Sequence, residues 1–167
     1  MTIPDRPMAA RKESDMYGTV LVALDGSHIA AEALPHAVAV ARRCNARIVL
    51  LHVLPPARPS PYRVADGQPS RESQAQRGQL EAYFAGLKRS LEHYGVQVDW
   101  QIEEGPVAET IAGTAGNLDR PLVIMAEIGK SAVQHPSAAE GMGKVAQEVG
   151  KLWDGPLSLV KPHRQTL

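Results

Sequence analysis

The segment Tyr17-Gly18-Thr19-Val20-Leu21-Val22-Ala23-Leu24-Asp25-Gly26-Ser27 constrains this chain most. An apolar run of strand length ends in an acid, a glycine and a hydroxyl, and an alanine-rich helical stretch follows at once. A strand buried on both faces reads as unbroken hydrophobics, because neither side of its pleat meets water. In open α/β sheets the carboxyl end of such a strand, turning into a helix, is where ligands bind. One line of sequence therefore predicts both a fold class and the place of a site.

The remaining elements extend that pattern. Ser27 is suited to cap the first helix and Glu32 to meet its positive end. Ile29, Ala33, Val40 and Ala41 form its apolar stripe through Arg43, with a kink predicted at Pro35, which lacks an N–H. Strand two is read at Arg47–Val53, stopped by Pro55-Pro56. The stretch 57–69 is loop by composition. A long helix capped by Ser70 or Ser73 runs to about Tyr94, with Leu80, Tyr83, Phe84, Leu87 and Leu91 at helical spacing and Gly95 at its end. Strand three is read at Val96–Ile102, a third helix from Gly105-Pro106 to about Gly116, and strand four at Leu122–Met125. After a loop come a last helix, about Gly141–Leu152, and strand five, Leu157–Val160.

Strands alternating with helices predict an α/β fold: a single open five-stranded parallel sheet with helices on both faces. Right-handed crossovers favour the flavodoxin-like order 3-2-1-4-5, whose switch point lies between strands one and four, at Asp25 and Met125. The domain is read at 17–162. A tail of residues 1–16, with two prolines and six charges, precedes it, and a short tail at 163–167 follows.

Composition narrows the function classes. With 18 basic and 18 acidic residues the net charge is zero, which disfavours a general affinity for nucleic acid or anionic membrane. No stretch reaches the ~18 apolar residues of a membrane span. The N-terminal residues lack the apolar core of a signal peptide. Cys44 stands alone, so no internal disulfide and no Cys-pair metal site can form, and a reduced, cytoplasmic setting is expected. His36 and His135 have no partners at metal-ligand spacing, so no metal is predicted except Mg accompanying a nucleotide. His52 reads as a satisfied, partly buried histidine rather than a catalytic one, and Trp100 and Trp153 as packing or subunit-contact residues. Walker A, Gly-x-Ser-x-Gly and His-Glu-x-x-His are absent, and no catalytic residue is assigned.

Val22-Ala23-Leu24-Asp25-Gly26-Ser27, Leu51-His52-Val53, Gly105-Pro106, Val123-Ile124-Met125 and Gly155-Pro156-Leu157-Ser158-Leu159-Val160, in that order and spacing, resemble the universal stress protein family. The resemblance runs from about Tyr17 to Lys161 and implies a stress-response binding protein, many of whose relatives hold ATP. It places adenosine against Asp25, Val53 and Met125, with Asp25 accepting from ribose hydroxyls. It places phosphates on a loop of pattern Gly-x2-Gly-x9-Gly-Ser/Thr, where glycines let backbone N–H groups approach the oxygens. Here Ala126 replaces the first glycine, Gly129 is the second, and Gly143 followed by Lys144 is the best match to the third. The interval Lys130 to Met142 is longer than the family's, and Glu127 puts a negative charge where a triphosphate would lie. Lys130 and Lys144 can offset that charge, and Ser131 and Ser137 add hydroxyls.

Three ligand states are compatible with this loop: ATP in the family manner, a smaller ligand such as AMP or a free anion, or no small molecule. The corresponding functions are a nucleotide-responsive stress protein, a homodimeric adaptor that pairs through its last strand and acts on a protein partner, and a slow ATPase with Glu127 as base.

Overall fold

The structure, a computed structural model, describes residues 16–56, 71–130 and 142–163. The elements are β1 (Thr19–Ala23), α1 (His28–Ala31), α2 (Ala33–Cys44), β2 (Arg47–Leu54), α3 (Arg71–Glu92), β3 (Val98–Glu104), α4 (Val107–Gly116), β4 (Pro121–Ala126), α5 (Lys144–Leu152) and β5 (Leu157–Val160). The five strands form one sheet in the order β3-β2-β1-β4-β5, and every pairing is parallel. The fold class and strand order expected from the sequence are both present.

Burial explains why the runs are continuous. β1 sits at the centre, and Val20, Leu21 and Val22 are fully buried. Its even-numbered residues Val20 and Val22, with Leu24 just beyond it, join Ile48 and Leu50 against α2 and α3, where Ala37, Phe84 and Leu91 are buried. Its odd-numbered Leu21 joins Val49, Leu51, Val123 and Met125 against Ala108 and Ile111 of α4 and Ala146 and Val149 of α5. Phe84, the only phenylalanine, fills the aromatic-poor core beside Trp100, whose ring stacks at a centroid distance of 6.2 Å. Cys44 is buried at the end of α2, consistent with a structural thiol.

Several boundaries differ from the sequence reading. The first helix is broken, not kinked: α1 ends at Ala31, Glu32 stands at the joint, and α2 begins at Ala33. Pro35 is then in the first turn of α2, where its missing N–H leaves nothing unsatisfied. Glu32 is at once the C-cap of α1 and the N-cap of α2, at the positive end of the second helix, and its carboxylate accepts from the His163 N–H at 2.7 Å. β3 begins two residues later than read, because its ladder with β2 starts at Val98, opposite Ile48, and Val96 and Gln97 only lead in from the turn at 93–95. Pro106 caps α4 from outside rather than forming its first residue. α5 begins at Lys144, with Gly143 as its N-cap. The tail at 1–15, the loop at 57–70, Ser131, Ser137 and the rest of 131–141, and residues 164–167 lie outside the described residues.

Parallel register puts the strand ends level. Ala23 pairs with Leu51 and with Met125. Two residues further along the three strands stand Asp25, Val53 and Glu127, at the rim of the sheet by the switch point.

Candidate functional site at the switch point

The turn after β1 is organised by its acid. Gly26 has φ +84°, a left-handed conformation that an L side chain adopts only with strain. This reversal returns Ser27 to Asp25: the Ser27 N–H donates to Asp25 Oδ1 at 2.9 Å, and the Ser27 hydroxyl donates to the same oxygen. The hydroxyl oxygen also accepts from the Ala30 N–H at 3.2 Å, capping α1. The helix start is therefore satisfied by Ser27, as the sequence predicted.

Asp25 makes a second connection across the switch point. The Lys130 backbone N–H, after β4, donates to Asp25 Oδ2 at 2.5 Å. Gly129 permits this approach, since a Cβ there would stand only 2.6 Å from Asp25 Oδ2. The carboxylate thus ties the β1–α1 turn to the β4 loop. Charge-assisted hydrogen bonds of this kind are about twice as strong as neutral ones.

The other predicted residues fall at distinct places. Gly143 closes on the β4 loop: its N–H donates to the Glu127 carbonyl at 2.7 Å, and a Cβ on Gly143 would stand 2.9 Å from that oxygen. Lys144 opens α5, but its Nζ is directed along the helix to Glu148, 4.0 Å away, and its side chain is 89% exposed. Val53 and Met125 are buried at the strand ends on the α4/α5 face. Ala126 is buried beside Val160 at the last register pair. The structure brings Asp25, Gly129 and Lys130 into contact, and sets Gly143 against Glu127. Asp25 is engaged by both the capping residue Ser27 and the β4 loop.

Sequence reasoning did not find the wall supplied by α3. A cavity of about 300 Å³ lies beside Asp25, lined by Gly26, Ser27, His52, Gln76, Gln79, Leu80 and Lys130. Gln76, Gln79 and Leu80 recur at helical spacing and so share one face of α3. Tyr83 continues that face. Burial, and secondarily the negative charge of Asp25, raise the pKa of its hydroxyl above the usual tyrosine value. His52 is buried, and its Nδ1 lies 2.9 Å from the Leu24 carbonyl. A carbonyl only accepts, so Nδ1 carries the proton, and Nε2 presents a lone pair in the neutral ring. The expectation of a satisfied, partly buried histidine holds for one of its two nitrogens.

Among the described residues no group of His, Cys, Asp and Glu is arranged to hold a metal ion. No described helix is long and apolar enough to cross a membrane.

The profile of the Universal stress protein family matches residues 16–161. The chain belongs to this family. A universal stress protein of Methanocaldococcus jannaschii is 24% identical over 155 residues, covering 93% of this chain and 88% of the relative. Among solved structures, the universal stress protein UspA from Lactobacillus plantarum shares the fold with a TM-score of 0.72 at 19% identity, over 88% of this chain and 98% of that one. A universal stress protein from Archaeoglobus fulgidus solved in complex with dAMP has a TM-score of 0.57 at 15% identity, over 89% and 99% of the two chains. An Arabidopsis thaliana family member solved with AMP bound has the same TM-score at 17% identity, over 89% and 93%. Membership in the universal stress protein family and the fold expected of it are therefore both established for this chain.

Proposed function

We propose that this universal stress protein binds an adenine nucleotide at the switch point, and acts through that binding rather than through catalysis. The observation that carries the reading is the Asp25 carboxylate, which joins the β1 turn to the β4 loop beside an open cavity. A ligand entering there touches both walls of the cleft at once. The nucleotides in the A. fulgidus and A. thaliana relatives support the same chemistry. Asp25, Val53 and Met125 would meet the adenosine, and Ala126, Gly129, Lys130, Gly143 and Lys144 the phosphate side.

The loop favours a monophosphate such as AMP over ATP. Glu127 adds negative charge, and Lys144 is directed to Glu148. Like charges in a partly desolvated cleft repel strongly. Mg would enter only with a polyphosphate. The Ser27 hydroxyl is engaged with the Asp25 carboxylate and with the Ala30 N–H as a helix cap, and the reading assigns binding without turnover. The lone cysteine keeps a reduced, cytoplasmic setting as the expectation. The test is nucleotide-dependent thermal stabilisation: AMP should raise the melting temperature of the wild type and leave Asp25→Ala unmoved. Equal shifts in both proteins would remove Asp25 from the site.

A second role rests on β5. It is an edge strand, and all four residues of Leu157–Val160 are only half-buried. An apolar edge left open invites strand pairing. We propose a homodimer through this edge, which presents a surface to a protein partner. Sedimentation as a monomer at micromolar concentration would refute it.

A further inference from the structure

The end of the sheet opposite the switch point carries a larger cavity, of about 460 Å³. It lies where α2 runs into β2 and where the turn at 93–95 leads toward β3. Arg42, Asn45, Arg47, Gly95 and Gln97 line it, and none of the described residues that line it is acidic. Both rims are set by residues in the left-handed conformation, Asn45 at φ 51° and Gly95 at φ 78°. Each turn is closed by a backbone bond: the Ala46 N–H donates to the Ala41 carbonyl at 2.9 Å, and the Gly95 N–H to the Glu92 carbonyl at 3.0 Å. The cavity is therefore preformed by the backbone, and two guanidinium groups supply its charge.

Helix electrostatics account for only one of the two arginines. Arg42 stands in the last turn of α2, where a cation offsets the negative end of the helix. Arg47 opens β2 and has no helix end to serve. Its guanidinium lies 3.7 Å from Asp99, which is shared with Lys88, and Lys88 also meets Glu92 at 3.8 Å. That network is balanced within itself and steadies Arg47, so Arg42 brings one further positive charge to the cavity. Two guanidinium groups exclude a metal ion or other cation. A free phosphate meets another obstacle: the last carbonyls of α2 have no partner within the helix, and they repel a group that mainly accepts. A peptide with acidic side chains satisfies both demands. Its backbone N–H groups donate to carbonyls, and its carboxylates accept in pairs from guanidinium. The amides of Asn45 and Gln97 can bond either backbone group. Tyr94, next to Gly95 and 59% exposed, adds an aromatic surface of the kind enriched at protein interfaces.

We propose that this cavity docks an acidic peptide segment of a protein partner, with Arg42 and Arg47 each taking a carboxylate. The site is independent of nucleotide binding and of pairing through β5. Arg47 and His52 stand on the same strand, and that length of strand spans roughly 17 Å, so the two cavities are separate and can be filled together. A partner held here leaves the switch point open to its own ligand.

NMR titration of the isotope-labelled full chain with an acetylated, amidated hexaglutamate peptide tests it. The backbone amides of Asn45, Ala46, Gly95 and Gln97 should shift, and those of Gly26 and Lys130 should not. Arg42→Glu, a change at an exposed side chain, should weaken binding at least about tenfold, because it removes a cation and adds a like charge. Arg47→Gln should weaken it as well, and added salt should loosen the wild-type complex. Shifts that are absent, spread over the surface or centred on the switch point overturn the proposal, as does an Arg42→Glu protein that binds like the wild type. An oligothymidylate that moves the same amides at lower concentration overturns it in favour of phosphates. Shifts of those amides on diluting the free protein overturn it in favour of a second copy of the chain.

Discussion

Gly129→Ala is the substitution whose outcome the geometry fixes most tightly. The added Cβ would lie 2.6 Å from Asp25 Oδ2, closer than real Cβ contacts come. Asp25 can retreat only by giving up the Lys130 N–H, which is held from the other side of the switch point. Losing a hydrogen bond to a charged group costs about 1.5–3 kcal/mol, and the exposure of this contact argues for the lower end. Replacing glycine returns roughly 0.4–1 kcal/mol by restricting the unfolded chain. The net effect is a loss of about 1 kcal/mol, or about 2–4 °C in melting temperature for a domain of this size. Gly113→Ala is the matched control. Gly113 lies in α4 with nothing within 4 Å of a built Cβ, so helix propensity alone should stabilise that variant by about 0.5–1 kcal/mol. Urea unfolding of the two variants should give ΔΔG values of opposite sign. A Gly129→Ala protein as stable as the wild type would refute the clasp between Asp25 and the β4 loop.

Three further outcomes follow from burial and charge. Thr19→Val should stabilise the protein by about 1 kcal/mol in chemical denaturation, since the Thr19 hydroxyl is enclosed with no partner among the described residues and the swap keeps its shape. Phe84→Ala should cost about 3–5 kcal/mol, because the ring is fully buried between His52, Tyr83 and Trp100. Tyr83 has a folded-state pKa above its unfolded value of 10.0, so the fold favours the neutral phenol. Its contribution is present below pH 10.0 and is lost as pH rises through the folded pKa. Asp25→Asn should lower the folded value, read from the Tyr83 ring resonances by NMR.

The sheet was legible in the sequence because its central strands are buried on both faces. Val20-Leu21-Val22 and Ile48-Val49-Leu50-Leu51 have no polar alternation to misplace, and Asp25 and Pro55 mark their ends. The half-exposed β3 was harder. Its alternation is satisfied by more than one frame, and only pairing of Val98 with Ile48 fixes the start. The break at Glu32 falls where Pro35 lacks the N–H that would bond the Ala31 carbonyl, so the sequence marked its place, and only the full interruption in place of a kink was not legible. At the site, Asp25, Gly129 and Lys130 could be placed because they end strands or follow them. Gln76 and Gln79 could not. On the sequence they are ordinary polar-face residues, and only the crossover that lays α3 over the ends of β1 and β2 turns them toward His52. The signal that was available lay in His52, an imidazole inside the otherwise apolar run from Ile48 to Leu54.

Native mass spectrometry of the protein as purified, followed by addition of AMP, addresses nucleotide binding at the switch point most directly. The account predicts a species heavier by one adenine nucleotide per chain, retained from the cell or restored by AMP and absent from Asp25→Ala. A wild-type chain that stays bare, with no change in melting temperature on adding AMP, ADP or ATP, would contradict it.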